Sequence, residues 1–490
     1  MKRNIHSLSS DRLLTGDMGE LLPIGVSETL PGDVFQHSTA ALIRLSPQLA
    51  PVMHRVKVRI HHFFVPNRII DPNWEDIITG GPDNENTNVP TITIPADPLN
   101  TAPLLDRLGI PLDQGDVVGM EICAYPVWAF NTVYNEYYRD QDLVQPRALD
   151  DLTIPKIAWE KDYFTAARPW PQKGDAITIP ITGRIPVKGI AKTGNVAPNI
   201  PTSGRDVDGD VTYDYAAQSN GNPYLMLDVD PATDNPDIYA DGSLAEQVPI
   251  NEFRKAFALQ RYAEARAQYG SRYTEYLRYL GVRSSDARIN RPEFLGGGVQ
   301  QIAFSEVLQT APDDSGGETT YVGDLHGHGI AAMRSNKYRR FFEEHGHVIS
   351  LLSVRPKAQY STAIHRKWLR TDKESYFQKE LEYIGQQEIP SRELYAEAGA
   401  NGDAVLGYQN RYKEYTEEPS IVCGEFRNTQ KHWHLSREFD SAPVLNEDLI
   451  TCNPSKRIYA AQENHGLWIQ IHHNLKARRM VSANPRARIL

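Results

Sequence analysis

A chain of 490 residues with 40% hydrophobic and 23% charged residues can bury a sizeable core, which excludes wholesale disorder, and no run of about 18 apolar residues predicts a membrane-spanning helix. Three scattered cysteines, Cys123, Cys423 and Cys452, exclude a disulfide framework or a zinc ribbon and fit a reducing cytoplasm, and the polar start Met1-Lys2-Arg3-Asn4 lacks the apolar stretch of a secretion signal. The net charge of −10 is uneven: residues 200–246 carry ten acids against Arg205 alone (1 − 10 = −9), so the rest sums to −1, while Lys476 to Leu490 holds five cations and no acid.

In chain order, the first clear element is Val52 to Phe64. There Val56, Val58 and Ile60 alternate with Arg55, Lys57 and Arg59, the period of a half-buried strand. Shorter strands are expected at Thr91–Ile94, Ala176–Ile181 and Val348–Val354, each bounded by Gly, Pro or Asp. Trp128 to Tyr138 places aromatics at 130, 134, 137 and 138, a helical stripe. Ile250 to Leu280 predicts a longer helix, capped by Asn251, interrupted at Gly270 and ended at Gly281. The acidic stretch, about 185–248, is dense in Asp-Gly, Asp-Pro and Asn-Gly turn signals and predicts a large surface insertion. A helical insertion of about 249–300 follows it. Near the end, Leu467, Ile469, Ile471, His473 and Leu475 alternate with Trp468, Gln470, His472, Asn474 and Lys476, a second strand with one buried face. With 33 prolines and 34 glycines spaced as turn punctuation, the pattern predicts a mainly β, antiparallel sandwich or jelly roll carrying long insertions.

Chemistry is sparse. Histidines come close together (His61-His62, His326/His328, His345/His347, His432/His434, His472-His473), but none has a Glu or Cys at a spacing that completes a metal site, so no metal or cofactor is predicted. Asp206-x-Asp208-x-Asp210 opens like a calcium loop, yet Val211 and Ala217 stand where Gly and Glu are required. Gly296-Gly297-Gly298 lacks the lysine and helix of a phosphate cradle and reads as a flexible turn. No catalytic set emerges. Two basic features remain as candidate nucleic-acid contacts: the strand face Arg55, Lys57 and Arg59, and the tail Lys476, Arg478, Arg479, Arg486 and Arg488, expected on one wall. The structural alternative is that these cations pair with carboxylates. Asp206, Asp208, Asp210, Asp214, Asp228 and Asp230 would face outward, away from nucleic acid.

Ordered blocks along the chain carry a resemblance: Leu30-Pro31-Gly32-Asp33, Ala50 to His54 running into Arg59 to Phe63, Trp74 to Gly81, Asn131 to Asp140, Asp162 to Gly174, Arg272 to Glu275, Asp286 to Gly297, Gly407 to Gln409 and Trp433 to Leu435. Together they resemble the major capsid protein of the Microviridae, nearest the gokushovirus-like branch. The resemblance implies an eight-stranded jelly roll and a virion structural protein, not an enzyme, forming a sixty-copy T=1 icosahedral shell through pentamers. It also implies packaged circular single-stranded DNA, other virion or scaffolding proteins, a bacterial surface receptor, assembly in the host cytoplasm, and a threefold protrusion formed by the acidic insertion. Rival readings are a metal-dependent jelly-roll enzyme or carbohydrate-binding module built on a His-x-His pair, and a single-stranded-DNA-binding protein that does not assemble.

Overall fold

The computed structural model describes residues 3–81, 88–113, 116–177, 250–310 and 323–482 in full, and only the backbone of 187–192, 206–207, 225–227 and 239–240. The chain divides into a large unit, Met1–Pro171 with Arg266–Leu490, and a small one, Gln172–Ala265. The principal strands are β1 (Asn4–Ser7), β2 (Ser10–Gly16), β3 (Leu21–Thr29), β4 (Val34–Leu45), β5 (Val56–Pro66), β6 (Glu293–Gln301), β7 (Ala303–Leu308), β8 (Leu325–Arg334), β9 (Tyr338–Phe341), β10 (Gly346–Pro356) and β11 (Leu467–Arg479). The helices that matter below are α1 (Tyr125–Val133), α2 (Ile250–Tyr269) and α3 (Tyr273–Tyr279).

Two antiparallel sheets form a sandwich. The first runs β1-β11-β4-β8-β7, with β2 continuing the β1 edge along β11 and β9 continuing β8 along β4; the second runs β6-β5-β10-β3. Alternation decides which side chains enter the seam. Leu467, Ile469 and Ile471 of β11 meet Val56, Val58 and Ile60 of β5, Leu352 and Val354 of β10, and Leu22 and Ile24 of β3 in one buried cluster. Phe342 closes one end, its ring 5.0 Å from Phe35 and 4.7 Å from Phe64. β10 is buried on both faces, because a third layer covers the second sheet: Val127, Phe130 and Val133 of α1 pack with Phe63, Val65, Ile349 and Leu351. Past α1 the chain widens into a π-helical turn at Tyr134–Tyr138. Asn131 and Asn135 pin the returning loop by donating to the carbonyls of Leu149, Asp151 and Arg147 at 2.7–2.9 Å.

The seam also holds a polar plug. His473 Nε2 lies 2.9 Å from the Ile24 carbonyl, which can only accept, so this nitrogen carries the proton and Nδ1 accepts. His37 Nε2 at 3.1 Å and the Thr39 hydroxyl at 2.9 Å both reach His473 Nδ1, and the Tyr338 hydroxyl lies 3.1 Å from His37 Nδ1. His62 is held between Ser350 Oγ (2.8 Å) and Ser335 Oγ (3.1 Å). Gly25 leaves the space this chain needs: a Cβ there would stand 2.6 Å from His473 Nε2.

Several sequence expectations meet the fold with differences. The helix at 250–280 does break at Gly270 (φ +91°) and end at Gly281 (φ +80°). It begins at Ile250, so Asn251 lies inside it instead of capping it. Gly296–Gly298 is not a turn but the middle of β6, and Glu293–Gln301 belongs to the second sheet and not to a helical insertion. The reason is close packing: a Cβ on Gly297 would come within 2.1 Å of the Ile60 carbonyl, and Gly296 (φ +139°) sits at a bulge in the pairing with β5. The strand expected at Ala176–Ile181 lies largely outside the described residues. In the small unit, Val187–Lys192 pairs antiparallel with Asp206–Val207, Leu225–Leu227 and Tyr239–Ala240; most of the acidic stretch lies outside the described residues.

The plug fixes a pH dependence. Burial, and then the charge of His473, pushes His37 down from 6.5 to about 3. Burial, followed by His37 and His473, holds His62 well below its ordinary value, and burial also lowers His473. Below pH 6.5 the unfolded chain takes up protons that the folded seam refuses, so stability is lost as pH falls from about 6.5 toward 3, at up to about 1.4 kcal/mol per pH unit per histidine. Glu393 acts in the opposite sense over an overlapping window, since burial pushes its carboxyl from 4.5 up to about 7 against the lowering effect of Arg366, so it offsets about one of the three histidines there. The thermal midpoint of the purified chain is expected to fall between pH 6.5 and 4.5, with a flatter profile in His37→Gln/His473→Gln. An identical slope in the two proteins would contradict the assignment to the plug.

Candidate nucleic-acid interface

The seam takes one face of the first sheet and leaves the other to solvent. Along β11 the burial alternates residue by residue, with Trp468, Gln470, His472, Asn474, Lys476 and Arg478 exposed. Register places their neighbours. Trp468 stands beside Arg44 of β4, and His472 beside Ala40, whose other neighbour is Arg334 of β8. Lys476 stands beside Gln36, which pairs with Arg339 of β9, and Arg478 beside Val34, which pairs with Phe341. Arg44, Arg334, Arg339, Lys476 and Arg478 are all exposed. Among the described residues no carboxylate oxygen comes within ion-pair distance of any of them. Asp11 of β2 is the acid in these rows, and it is taken by His472 at 2.7 Å.

The five cations therefore form a broad, weakly neutralised surface, interrupted by Trp468 and Leu13, which are 48% and 83% exposed. Unpaired guanidinium and ammonium groups on a pleated face present hydrogen-bond donors to phosphate oxygens without discriminating sequence, and an exposed indole offers a surface on which a base can stack.

The residues singled out from the sequence are distributed differently. Arg55 is exposed just before β5. Lys57 and Arg59 are half-buried and share Glu160, at 2.9 and 3.1 Å. Burial pushes the Glu160 carboxyl up, but the Lys57 hydrogen bond and the charges of Lys57, Arg355 and Arg59 outweigh it and hold the group below the usual range. Arg479 turns inward, donating to Asp33 Oδ2 at 2.9 Å and to the Glu28 carbonyl, with its guanidinium over the Phe35 ring. Only Lys476 and Arg478 of the named tail stand free within the described residues; Arg486 and Arg488 lie outside them. Of the acids, Asp206 falls in a strand of the small unit, and Asp208, Asp210, Asp214, Asp228 and Asp230 lie outside the described residues.

The expectation of one shared wall is corrected. β5 and β11 belong to different sheets. Val56, Val58 and Ile60 point into the seam, so Lys57 and Arg59 point to the far side of the second sheet, whereas Lys476 and Arg478 point away from the seam on the outer side of the first. Arg44, Arg334 and Arg339 were missed because β4, β8 and β9 were not read as strands. Alternation in Val34–Leu45 was visible, but its register against β11 was not.

The histidine pairs separate in the same way. His61 and His62 point to opposite sides of β5, as do His472 and His473 of β11. His328 binds Ser305 Oγ, His347 binds Asn67 Oδ1, and His434 binds the Phe426 carbonyl. Among the described residues no group of three or more His, Cys, Asp or Glu is placed to hold a metal ion.

Known proteins match the chain along nearly its whole length. The profile of a family described as "Capsid protein (F protein)" matches residues 1–486. The capsid protein VP1 of Bdellovibrio phage phiMH2K is 33% identical over 465 residues, covering 89% of this chain and 85% of the relative. VP1 of Chlamydia phage 1 is 30% identical over 541 residues (92% and 90%), and VP1 of Spiroplasma virus 4 is 27% identical over 488 residues (89% and 85%).

Adjacent arginines of β11 are expected to respond oppositely to substitution. Arg479→Gln leaves the carboxylate of Asp33, whose side chain is 1% exposed, without its cation and should cost about 2–4 kcal/mol. Arg478→Gln should change stability by under about 0.5 kcal/mol. Chemical denaturation of the two variants checks the assignment of inward and outward positions.

Proposed function

The chain belongs to the Capsid protein (F protein) family, a structural protein of the virion that assembles into a capsid, and from that premise we propose that it is the subunit of a T=1 icosahedral shell enclosing circular single-stranded DNA, with the outer face of the first sheet turned to the genome. The observation that carries the orientation is the set of five exposed cations on that face without carboxylate partners among the described residues. A lining surface must neutralise phosphates along its whole extent and read no sequence, and spaced single cations on a sheet suit that task. Outward orientation of the acidic stretch follows from the same electrostatics, since its −9 would be repelled by a packaged polyanion.

The strand order supports an eight-stranded jelly roll. With β1/β2 and β8/β9 counted as continuous strands and β7 as an addition at the edge, the eight strands in chain order lie 1-8-3-6 in one sheet and 2-7-4-5 in the other. The long connections would then supply the contacts between copies. α2 exposes Phe253 and Phe257 at 41% and 66%, and the segment after β10 exposes Trp368 and Tyr383 at 76% and 87%. Large apolar side chains left to water in this way are what closed heterologous contacts would cover. In this reading pentamers form first, with other virion or scaffolding proteins, in the cytoplasm of a bacterial host. The acidic insertion forms a protrusion that meets a surface receptor.

Expressed alone at neutral pH, the chain should give pentamers or closed particles by sedimentation and electron microscopy. Replacing Arg334, Lys476 and Arg478 together by Gln should leave the fold intact and reduce the salt slope of single-stranded DNA binding by about 2, since each phosphate contact contributes roughly 0.7; an unchanged slope would place the genome elsewhere. Replacing residues 200–246 by a short linker should abolish attachment to host cells while particles still form. Full attachment by such particles would remove the receptor role.

A further inference from the structure

A second basic site lies on the other side of the sandwich. Between the far face of the second sheet and the turn after α1 there is a cavity of about 320 Å³, within the size range of small-molecule sites. Six cations line it, Arg59, Arg139, Lys161, Arg168, Arg272 and Arg355, against three carboxylates, Asp140, Asp142 and Glu275, so the lining carries 6 − 3 = +3. Those carboxylates are already engaged. Asp140 holds Lys161 and Arg168, Asp142 holds Arg168 at 3.2 Å, and Glu275 accepts from the Arg272 backbone N–H at 2.9 Å.

Three guanidiniums make their hydrogen bonds to carbonyl oxygens, with Glu136 and Glu275 near Arg272 and Glu160 near Arg355 acting on them only through their charge. Arg139 donates to the Val144 carbonyl at 2.8 Å, Arg355 to the Ala158 carbonyl at 2.7 Å, and Arg272 to the carbonyls of Asn135 and Arg139. None of the three has a carboxylate partner in ion-pair range among the described residues. The buried Nε atoms of Arg59, Arg139 and Arg272 have no hydrogen-bond partner. Burial, with Arg59 beside it, also weakens the hold of Arg355 on its proton. Like charges crowded together in a half-closed cavity are costly, and a bound anion would offset that cost.

We propose that this cavity binds a phosphate-bearing anion, held by Arg139, Arg272 and Arg355. A planar carboxylate offers two oxygens and suits one guanidinium fork. A tetrahedral phosphate offers oxygens in several directions and can serve three forks that converge from different elements. Tyr137 and Tyr138 also line the cavity, giving an ester group attached to the phosphate an apolar wall. Free inorganic phosphate and a phosphate of a nucleic-acid strand present the same chemistry of recognition, and the test below separates them. The site faces away from the sheet proposed to meet the genome, so the two readings stand or fall separately.

The test titrates the full chain with inorganic phosphate, and separately with a short oligothymidylate, against chloride at matched ionic strength, following thermal midpoint and the NMR signals of His61. Burial, with Arg59 and Arg355 nearby, holds His61 at about 4, and a bound anion should move its titration upward. Saturable binding is expected, weakened at least tenfold in Arg355→Gln and in Arg272→Gln and retained in Lys379→Gln, an exposed cation that belongs neither to the cavity nor to the outer face of the first sheet. Arg355→Gln relieves charge crowding and should fold without phosphate, which keeps loss of binding distinct from loss of structure. Competition by oligothymidylate would identify nucleic acid as the source, and binding of inorganic phosphate alone would identify the free ion. Absence of saturable binding by both probes, or affinity unchanged in both lining variants, would overturn the proposal.

Discussion

A polar side chain trapped in the seam of a two-sheet sandwich costs stability unless it finds a partner there, and in this chain three histidines meet that condition together. His37, His62 and His473 lie where the sheets meet, and each uses both ring nitrogens. The chain from Tyr338 through His37 and His473 to the Ile24 carbonyl crosses from one sheet to the other. Neutral imidazoles suit it, because a charge in this dry seam would go largely unsolvated, whereas neutral His473 can accept at Nδ1 from His37 Nε2 or the Thr39 hydroxyl. Register is fixed along with it: a one-residue slip of β11 would turn His473 to solvent and His472 into the seam.

Once the seam is set, the outward surfaces follow. Among the described residues, the first sheet keeps an exposed outer face on which cations accumulate without carboxylate partners. The second sheet is covered by α1 and its neighbouring loops, so cations on its far side are drawn into ion pairs with Glu160 or crowded around a cavity. One alternating pattern, a hydrophobic residue followed by Lys or Arg, therefore has two outcomes. On β11 it leaves Lys476 and Arg478 to solvent, and on β5 it places Lys57 and Arg59 against a carboxylate of another segment.

Much of this was legible in local sequence. The buried and exposed residues of β11 follow the alternation one by one, the Val348–Val354 strand lies inside β10, and Gly270 and Gly281 do break and end the helical stretch, because left-handed backbone at those points admits glycine most easily. The family resemblance carried over the whole length, as the match to residues 1–486 bears out. The glycine run at 296–298 misled because glycine signals a turn and a close backbone approach equally well; only the position of Ile60 on the neighbouring strand separates the two.

The sequence alone determined the periodicities, the turn points, the lack of a linear catalytic signature and the division of charge between an acidic middle and a basic end. These are properties of neighbours along the chain, and steric and solvation rules act on them locally. Only the tertiary structure decided which sheet each strand joined, that β5 and β11 turn their cations to opposite sides, that Arg479 is spoken for by Asp33 while Arg478 is free, and that Arg44, Arg334 and Arg339 complete the exposed rows. Those outcomes depend on pairings between residues tens to hundreds of positions apart. Their register is set by the global requirement to bury one face and satisfy every polar atom within it, which no local window contains.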